Sequence, residues 1–129
     1  MHPKMIWANL AVDDLARTTK FYTDLGFKLN CSPNDQLTSF IIGENQFVIH
    51  FFLKKVLQAN MKIEISDAQS AAEILFSLSA ESKEQVDQWA TDVTKAGGKL
   101  LSPPEAFGEG YYGFMFADPD GHRFNVFHM

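Results

Sequence analysis

The stretch DPDGHRFNVFHM, residues 118–129, decides the fold because it joins a tight turn to the strand that ends the chain. Pro119 fixes its own φ, and Gly121 can take the positive φ that a tight hairpin turn needs. Side chains alternate between the two faces of a strand, so the residues after the turn divide into two sets. One predicted set is Arg123, Asn125 and Phe127.

A second run, FYTDLGF at residues 21–27, lies near the other end of the chain. Taken together, the two runs resemble the vicinal oxygen chelate superfamily, which includes glyoxalase I, bleomycin-resistance proteins and extradiol dioxygenases. In that superfamily a Phe-Tyr-x-x-Leu-Gly-Phe run leaves the first helix, and Asp-Pro-Asp-Gly-His precedes the last strand. The resemblance covers nearly the whole chain. It implies two modules whose sheets curl around one cavity.

The first half of the chain reads as one helix and four strands. Strands are predicted at residues 6–12, 27–29, 37–42 and 47–53 from alternating or continuous apolar runs. The helix, residues 15–25, follows Asp13 as the predicted N-cap and ends at Gly26. The order is therefore β-α-β-β-β.

The second half repeats this order. Its predicted strands lie at residues 74–80, 99–101, 112–117 and 124–127. The helix between the first two begins with a capping box from Ser82 to Gln85 and stops at Gly97. Two halves of about sixty residues with one order indicate an internal duplication.

These patterns predict an α+β fold of two tandem β-α-β-β-β modules, and the resemblance implies that the modules form a curled sheet barrel around a cavity. The 129 residues form one domain, with modules at about 1–57 and 73–129 and a linker at about 58–72. A short helix anchored by Val56, Leu57 and Met61 stays an open alternative within the polar stretch 54–72. A ferredoxin-like β-α-β-β-α-β fold competes, but it has fewer strands than the sequence offers.

Composition excludes several classes of partner. The net charge is -5 and only Arg17 and Arg123 are arginines, so no basic patch for nucleic acid is expected. Cys31 is the only cysteine, which excludes an internal disulfide or a cysteine-based zinc site. No signal peptide or membrane-spanning run is apparent, so we expect a cytoplasmic protein without membrane contact.

The resemblance also implies four metal-ligand positions, one on the first and one on the last strand of each module. Those positions fall on Trp7, His50, Leu75 and Asn125. Only His50 is a good ligand, since Trp and Leu have no donor and Asn offers a neutral amide. A slip of two residues would bring in Asn9, which is equally weak. We therefore predict no metal or other cofactor.

Seven residues are predicted to bind a ligand: Asn9, His50, Phe52, Tyr112, Phe114, Arg123 and Asn125. Either alternating set of the aromatic strand at 111–116 can face the cavity, and Tyr112 and Phe114 are the set proposed here. No catalytic residue is assigned. A lone His on an apolar strand is more often a cavity-lining group than a metal ligand.

Two functions follow from the resemblance. The first is metal-independent binding of a small hydrophobic or aromatic molecule in the cavity, as bleomycin-resistance proteins bind a drug. The alternative is a metal-dependent enzyme, either a lyase like lactoylglutathione lyase or an extradiol dioxygenase, with a divalent metal held by His50 and a carboxylate such as Glu64. We also expect a homodimer, the commonest soluble assembly.

Overall fold

A computed structural model describes all 129 residues. The chain forms nine strands and three helices. In chain order they are β1 (Trp7–Val12), α1 (Leu15–Asp24), β2 (Lys28–Leu29), β3 (Leu37–Ile42), β4 (Phe47–Leu53), α2 (Lys54–Met61), β5 (Leu75–Ser79), α3 (Lys83–Ala96), β6 (Lys99–Leu100), β7 (Glu105–Phe107), β8 (Tyr111–Ala117) and β9 (Arg123–His128). None of the helices combines the length and apolar character needed to cross a bilayer.

The chain divides into two compact units, Met1–Ser66 and Asp67–Met129. The sheet of unit 1 has the strand order β1-β4-β3-β2, and the main path of unit 2 is β5-β9-β8-β6. In each, the first strand runs parallel to the last, and the others pair antiparallel. The α+β class and the duplication are confirmed. Each sheet is open rather than closed into a barrel, and two sheets rule out the ferredoxin-like alternative.

Two elements differ from the predicted order. The short strand β7 pairs with β8 and was missed, because all three of its residues are exposed and it follows Pro103 and Pro104. Helix α2 occupies the stretch that the sequence left open. Only Leu57 in this helix is buried, so its apolar pattern is too weak to predict from sequence.

In unit 1, α1 packs on the face of the sheet that carries Phe40 and Phe51. Tyr22 stacks on Phe51 at 4.6 Å between ring centroids, and it is fully buried. The N-cap is Asp14 rather than the predicted Asp13, since Asp14 Oδ1 accepts the Arg17 N–H at 3.0 Å. Because Phe51 points to α1, its strand neighbour His50 points to the opposite face.

In unit 2, α3 covers the face of β8 and β9 that carries stacked phenylalanines. Phe116 and Phe124 lie 5.0 Å apart with an interplanar angle of 7°. The Tyr112 hydroxyl donates to Asp87 Oδ1 of α3 at 2.6 Å. These contacts assign the even-numbered residues of both strands to the helix side, which leaves Asn125 on the other face.

The α3 cap is confirmed in part. Ser82 Oγ accepts the Gln85 N–H at 3.1 Å, as a capping box requires. Gln85 Oε1, however, accepts the N–H of Glu81 at 2.8 Å. The reciprocal bond thus reaches back one residue further than predicted.

The turn before β9 is fixed by hydrogen bonds within the turn and by one from Gln69 outside it. Asp118 Oδ1 accepts the N–H groups of Asp120 and His122 at 3.0 and 2.9 Å. Gly121 takes the predicted positive φ, at +97°. The Gln69 amide donates to the carbonyl of Pro119 at 3.0 Å. This turn fixes where β9 begins, and hence which of its residues face away from α3.

Candidate functional site

The face of the unit 1 sheet opposite α1, which we call the His50 face, presents side chains in three rows across the strands. Its middle row is polar: Asn9 on β1, His50 on β4 and Ser39 on β3 are paired in register. The row ends at Asn30, whose Nδ2 donates to Ser39 Oγ at 3.3 Å. Every group in this row is uncharged or, for His50, able to be uncharged.

Apolar rows lie on both sides of the polar one. They consist of Trp7, Val48 and Ile41 on one side and Ala11, Phe52 and Leu37 on the other. The His50 ring meets Trp7 edge to face at 6.2 Å between centroids and Phe52 at 6.0 Å. Such distances are typical of favourable aromatic pairs. His50 is therefore a polar group set among rings.

Burial without a hydrogen bond governs the chemistry of His50. Its Nδ1 is enclosed and has no hydrogen-bond partner. Desolvation lowers the pKa of the imidazole below its ordinary value of 6.5, since burial disfavours the charged form. No carboxylate orients the ring, as the histidine of a catalytic triad requires. The lowered pKa favours the neutral imidazole at pH 7.

The corresponding face of unit 2, opposite α3, is the Asn125 face. Its middle row is Ser77, Asn125 and Met115, and Asn125 Nδ2 donates to Ser77 Oγ at 3.4 Å. The flanking rows are Leu75, Arg123 and Ala117 on one side and Ser79, Phe127 and Gly113 on the other. Arg123 is half-buried. This face offers an amide and a guanidinium instead of an imidazole.

The structure brings together three of the seven predicted ligand-binding residues, Asn9, His50 and Phe52, on the His50 face. It also gathers Arg123 and Asn125 on the Asn125 face. Tyr112 and Phe114 are corrected, because they lie on the α3 side. Tyr112 bonds to α3, and Phe114 is 1% exposed against Phe116.

Other residues on these faces were missed. Tyr111 takes the side expected for Tyr112, and its ring stacks on Phe107 at 5.5 Å and lies 6.2 Å from Phe127. Gly113 was the sequence feature that could have indicated this. It has no side chain, and it lies on the same face of β8 as Tyr111. Ser39 gave no signal, since a serine in an apolar strand carries no distinctive pattern.

The residues do not fit the divalent metal that the resemblance implies. In register, the neighbour of His50 on the first strand is Asn9, and that of Asn125 is Ser77, while Trp7 and Leu75 lie one row away. The donor set is one imidazole with amides and hydroxyls, which compensates poorly for dehydrating a divalent ion. No group of three or more His, Cys, Asp or Glu able to hold a metal occurs in the chain.

Comparisons with known proteins agree with the fold. The model of the Glyoxalase/Bleomycin resistance protein/Dioxygenase superfamily matches residues 4–126. A solved hypothetical protein from S. aureus is 32% identical, with a TM-score of 0.87 over 100% of this chain and 96% of its own. No protein of curated function matches significantly in sequence.

More distant solved structures share the fold. A glyoxalase-related enzyme from Fulvimarina pelagi is 21% identical, with a TM-score of 0.86 over 98% of this chain and 89% of its own. A lactoylglutathione lyase from Agrobacterium tumefaciens is 22% identical, with a TM-score of 0.70 over 98% and 94%. At these identities the likeness concerns the fold alone.

Proposed function

This chain belongs to the Glyoxalase/Bleomycin resistance protein/Dioxygenase superfamily, and from that premise we propose that it binds a small apolar or aromatic molecule without a catalytic metal. The proposed site is the His50 face. One observation carries the proposal: a polar row holding a neutral imidazole runs between two apolar rows, with Trp7 and Phe52 against its ring. Apolar walls with few polar groups are the usual make-up of small-molecule sites.

Exposure of the apolar rows supports this reading. Trp7 retains 49% of its surface, although its ring lies against His50. Phe52 is partly exposed as well. A ligand that covered these rings would remove apolar surface from water, which favours binding.

For unit 2, taken by itself, we propose Arg123 and Asn125 of the Asn125 face as ligand-contacting residues. Their support is position: both lie on the last strand of unit 2, and Asn125 occupies the place that His50 has in unit 1. A half-buried guanidinium on this face would favour a ligand that also carries an oxygen acceptor.

The alternative function, a metal-dependent lyase or extradiol dioxygenase, depends on an ion that this donor set holds poorly. Its support is kinship within the superfamily, and fold does not determine chemistry. We therefore place it second. It would require a first shell built around His50 from residues other than the superfamily's positions.

Tryptophan fluorescence tests the proposed binding. The chain has two tryptophans, Trp7 on the His50 face and Trp89 on α3. We expect uncharged aromatic compounds such as naphthalene to change the emission of Trp7 saturably, and the change to vanish in the Trp7→Phe variant, which retains Trp89. Absence of saturable binding by any aromatic compound would refute the proposal.

We further propose a homodimer. Apolar residues at or just before the edge strands β1 and β5 are exposed, with Ile6 at 76% and Leu75 at 49%. Exposed sheet edges are usually covered in stable proteins. Light scattering at micromolar concentration should give twice the chain mass of 14.5 kDa. A mass of one chain would contradict the dimer.

A further inference from the structure

The two ring nitrogens of His50 have different surroundings. Nδ1 is enclosed by the protein and has no hydrogen-bond partner, and it is the single buried side-chain polar atom of the chain in that state. Nε2 of the same ring does not belong to this class of buried, unpartnered atoms. Any hydrogen bond that His50 makes to a ligand must therefore come from Nε2.

This difference selects one tautomer. If the proton were on Nδ1, a buried N–H donor would have no acceptor, which is among the rarest arrangements in folded proteins. If both nitrogens were protonated, the Nδ1–H would again be a buried donor without an acceptor. The remaining form is neutral with the proton on Nε2. In this form the reachable nitrogen is a hydrogen-bond donor and has no lone pair to accept.

We propose that the molecule bound on the His50 face is an uncharged aromatic compound with a carbonyl-type oxygen, which accepts a hydrogen bond from the Nε2–H of His50. This inference rests on the proposed function and deepens it by naming the class of ligand. The ring of the ligand would cover Trp7 and Phe52, whose rings flank the imidazole at 6.2 and 6.0 Å. The oxygen would lie over the polar row between them.

The charges of the face favour an uncharged ligand over a carboxylate. The polar row contains Asn9, His50, Ser39 and Asn30, none of which carries a charge in the tautomer assigned above. Among the strand residues of this face the one cation is Lys28 of the edge strand β2, which pairs with Ile41 of β3. It lies two strands from β4, at about 10 Å or more, given the spacing of strands in a sheet. A carboxylate beside His50 would therefore have no cation of these strands within ion-pair distance.

Three probes with one ring system separate the possibilities: naphthalene, 2-acetylnaphthalene and 2-naphthoate. We expect the wild-type protein to bind 2-acetylnaphthalene on the order of tenfold more tightly than naphthalene, the gain of one hydrogen bond. 2-Naphthoate should bind no better than naphthalene. The affinities are measured by the quenching of Trp7.

Two variants assign the preference to the Nε2–H. His50→Phe retains a ring against Trp7 but has no donor, so the ratio of its affinities for 2-acetylnaphthalene and naphthalene should fall to about one, whatever its affinity for naphthalene itself. His50→Gln retains an amide N–H and should retain part of the preference. Near-ultraviolet circular dichroism establishes that each variant is folded, and a misfolded His50→Phe leaves the comparison to His50→Gln and His50→Ala.

The outcomes separate this inference from the proposed function. Equal ketone preference in wild type and His50→Phe, or tightest binding of 2-naphthoate, would overturn the inference while aromatic binding stands. Binding of none of the three probes would overturn both. As a direct check of the tautomer, long-range ¹H–¹⁵N spectra of histidine-labelled protein should show a protonated Nε2 for His50. A protonated Nδ1 would overturn the inference.

Discussion

The two units have the same strand order. Their helix-side faces are alike, whereas their opposite faces carry different residues. On the helix sides both carry packed aromatic rings, as Tyr22 on Phe51 and Phe116 on Phe124 show. On the other faces, His50 of unit 1 corresponds in register to Asn125 of unit 2. The comparison teaches that the helix side maintains the fold, whereas the opposite side is free to differ between the units and carries the candidate site.

The strongest difference between the units is at Gly113, where the backbones of β8 and β9 approach closely. In register, the position of Gly113 in unit 2 corresponds to that of Leu37 in unit 1. A Cβ at Gly113 would lie 2.1 Å from the carbonyl oxygen of Val126. We predict that Gly113→Ala lowers the free energy of unfolding by about 3 kcal/mol, because the backbone must move. Chemical denaturation measures this.

Met115→Ala is the matched control, since Met115 lies on the same face of β8 and is 39% exposed. It should change the free energy of unfolding by no more than about 0.5 kcal/mol. If the two variants are equally stable, the strands do not approach as closely as described.

The turns before the last strands offer the next comparison. Gly43 and Gly121 both have positive φ, at +75° and +97°. A Cβ at Gly43 would meet nothing within 4 Å, whereas one at Gly121 would lie 2.7 Å from the backbone nitrogen of Gln69. We predict losses of about 1 kcal/mol for Gly43→Ala and about 2–3 kcal/mol for Gly121→Ala. Equal losses in thermal or chemical unfolding would contradict the clamped turn.

The pH dependence of stability tests whether the pKa of His50 is lowered in the folded protein. Burial lowers its pKa below 6.5, so between the two values the unfolded chain binds more protons than the folded one. The stability contributed by neutral His50 is therefore present above pH 6.5 and lost as pH falls through the folded-state pKa. We predict a smaller decline in the His50→Gln variant, measured by denaturation from pH 7 to pH 5. Identical profiles would contradict the lowered pKa.

The smallest effect is expected at Tyr112 of unit 2. Its hydrogen bond to Asp87 raises the pKa of the phenol above 10.0, with help from desolvation and the nearby carboxylates. We predict that Asp87→Ala lowers this pKa toward 10.0. NMR titration of ¹³C-labelled tyrosine measures it, and an unchanged pKa would mean that the bond does not form in solution.

The fold was predictable because local sequence features, namely helix caps and strand patterns, determine its elements. Gly97 takes the left-handed conformation that ends α3, and Ser82 caps its start, as expected. The bounds of β3 and β4 agree with the predicted strands at 37–42 and 47–53. The superfamily was likewise predictable from two runs at opposite ends of the chain.

The candidate site was predictable only in part. Alternation along the strands placed His50 and Asn125 on the faces opposite α1 and α3. Alternation could not decide which alternating set of β8 residues shares a face with Asn125, because both Tyr111 and Tyr112 are aromatic. The hydrogen bond from Tyr112 to Asp87 in α3 decides it. The enclosed Nδ1 of His50 depends on packing from several strands, which no local pattern encodes.

The most direct test of the central claim, metal-free aromatic binding at His50, combines two readings on wild-type and His50→Ala protein. Both are expressed with iron, nickel, manganese and zinc supplied, and an exposed turn variant, Glu44→Ala, serves as control. We predict no stoichiometric metal in any of the three. The Kd for 2-acetylnaphthalene should rise about tenfold in His50→Ala alone. Near-stoichiometric metal in the wild type that disappears in His50→Ala together with an enzymatic activity would contradict the account.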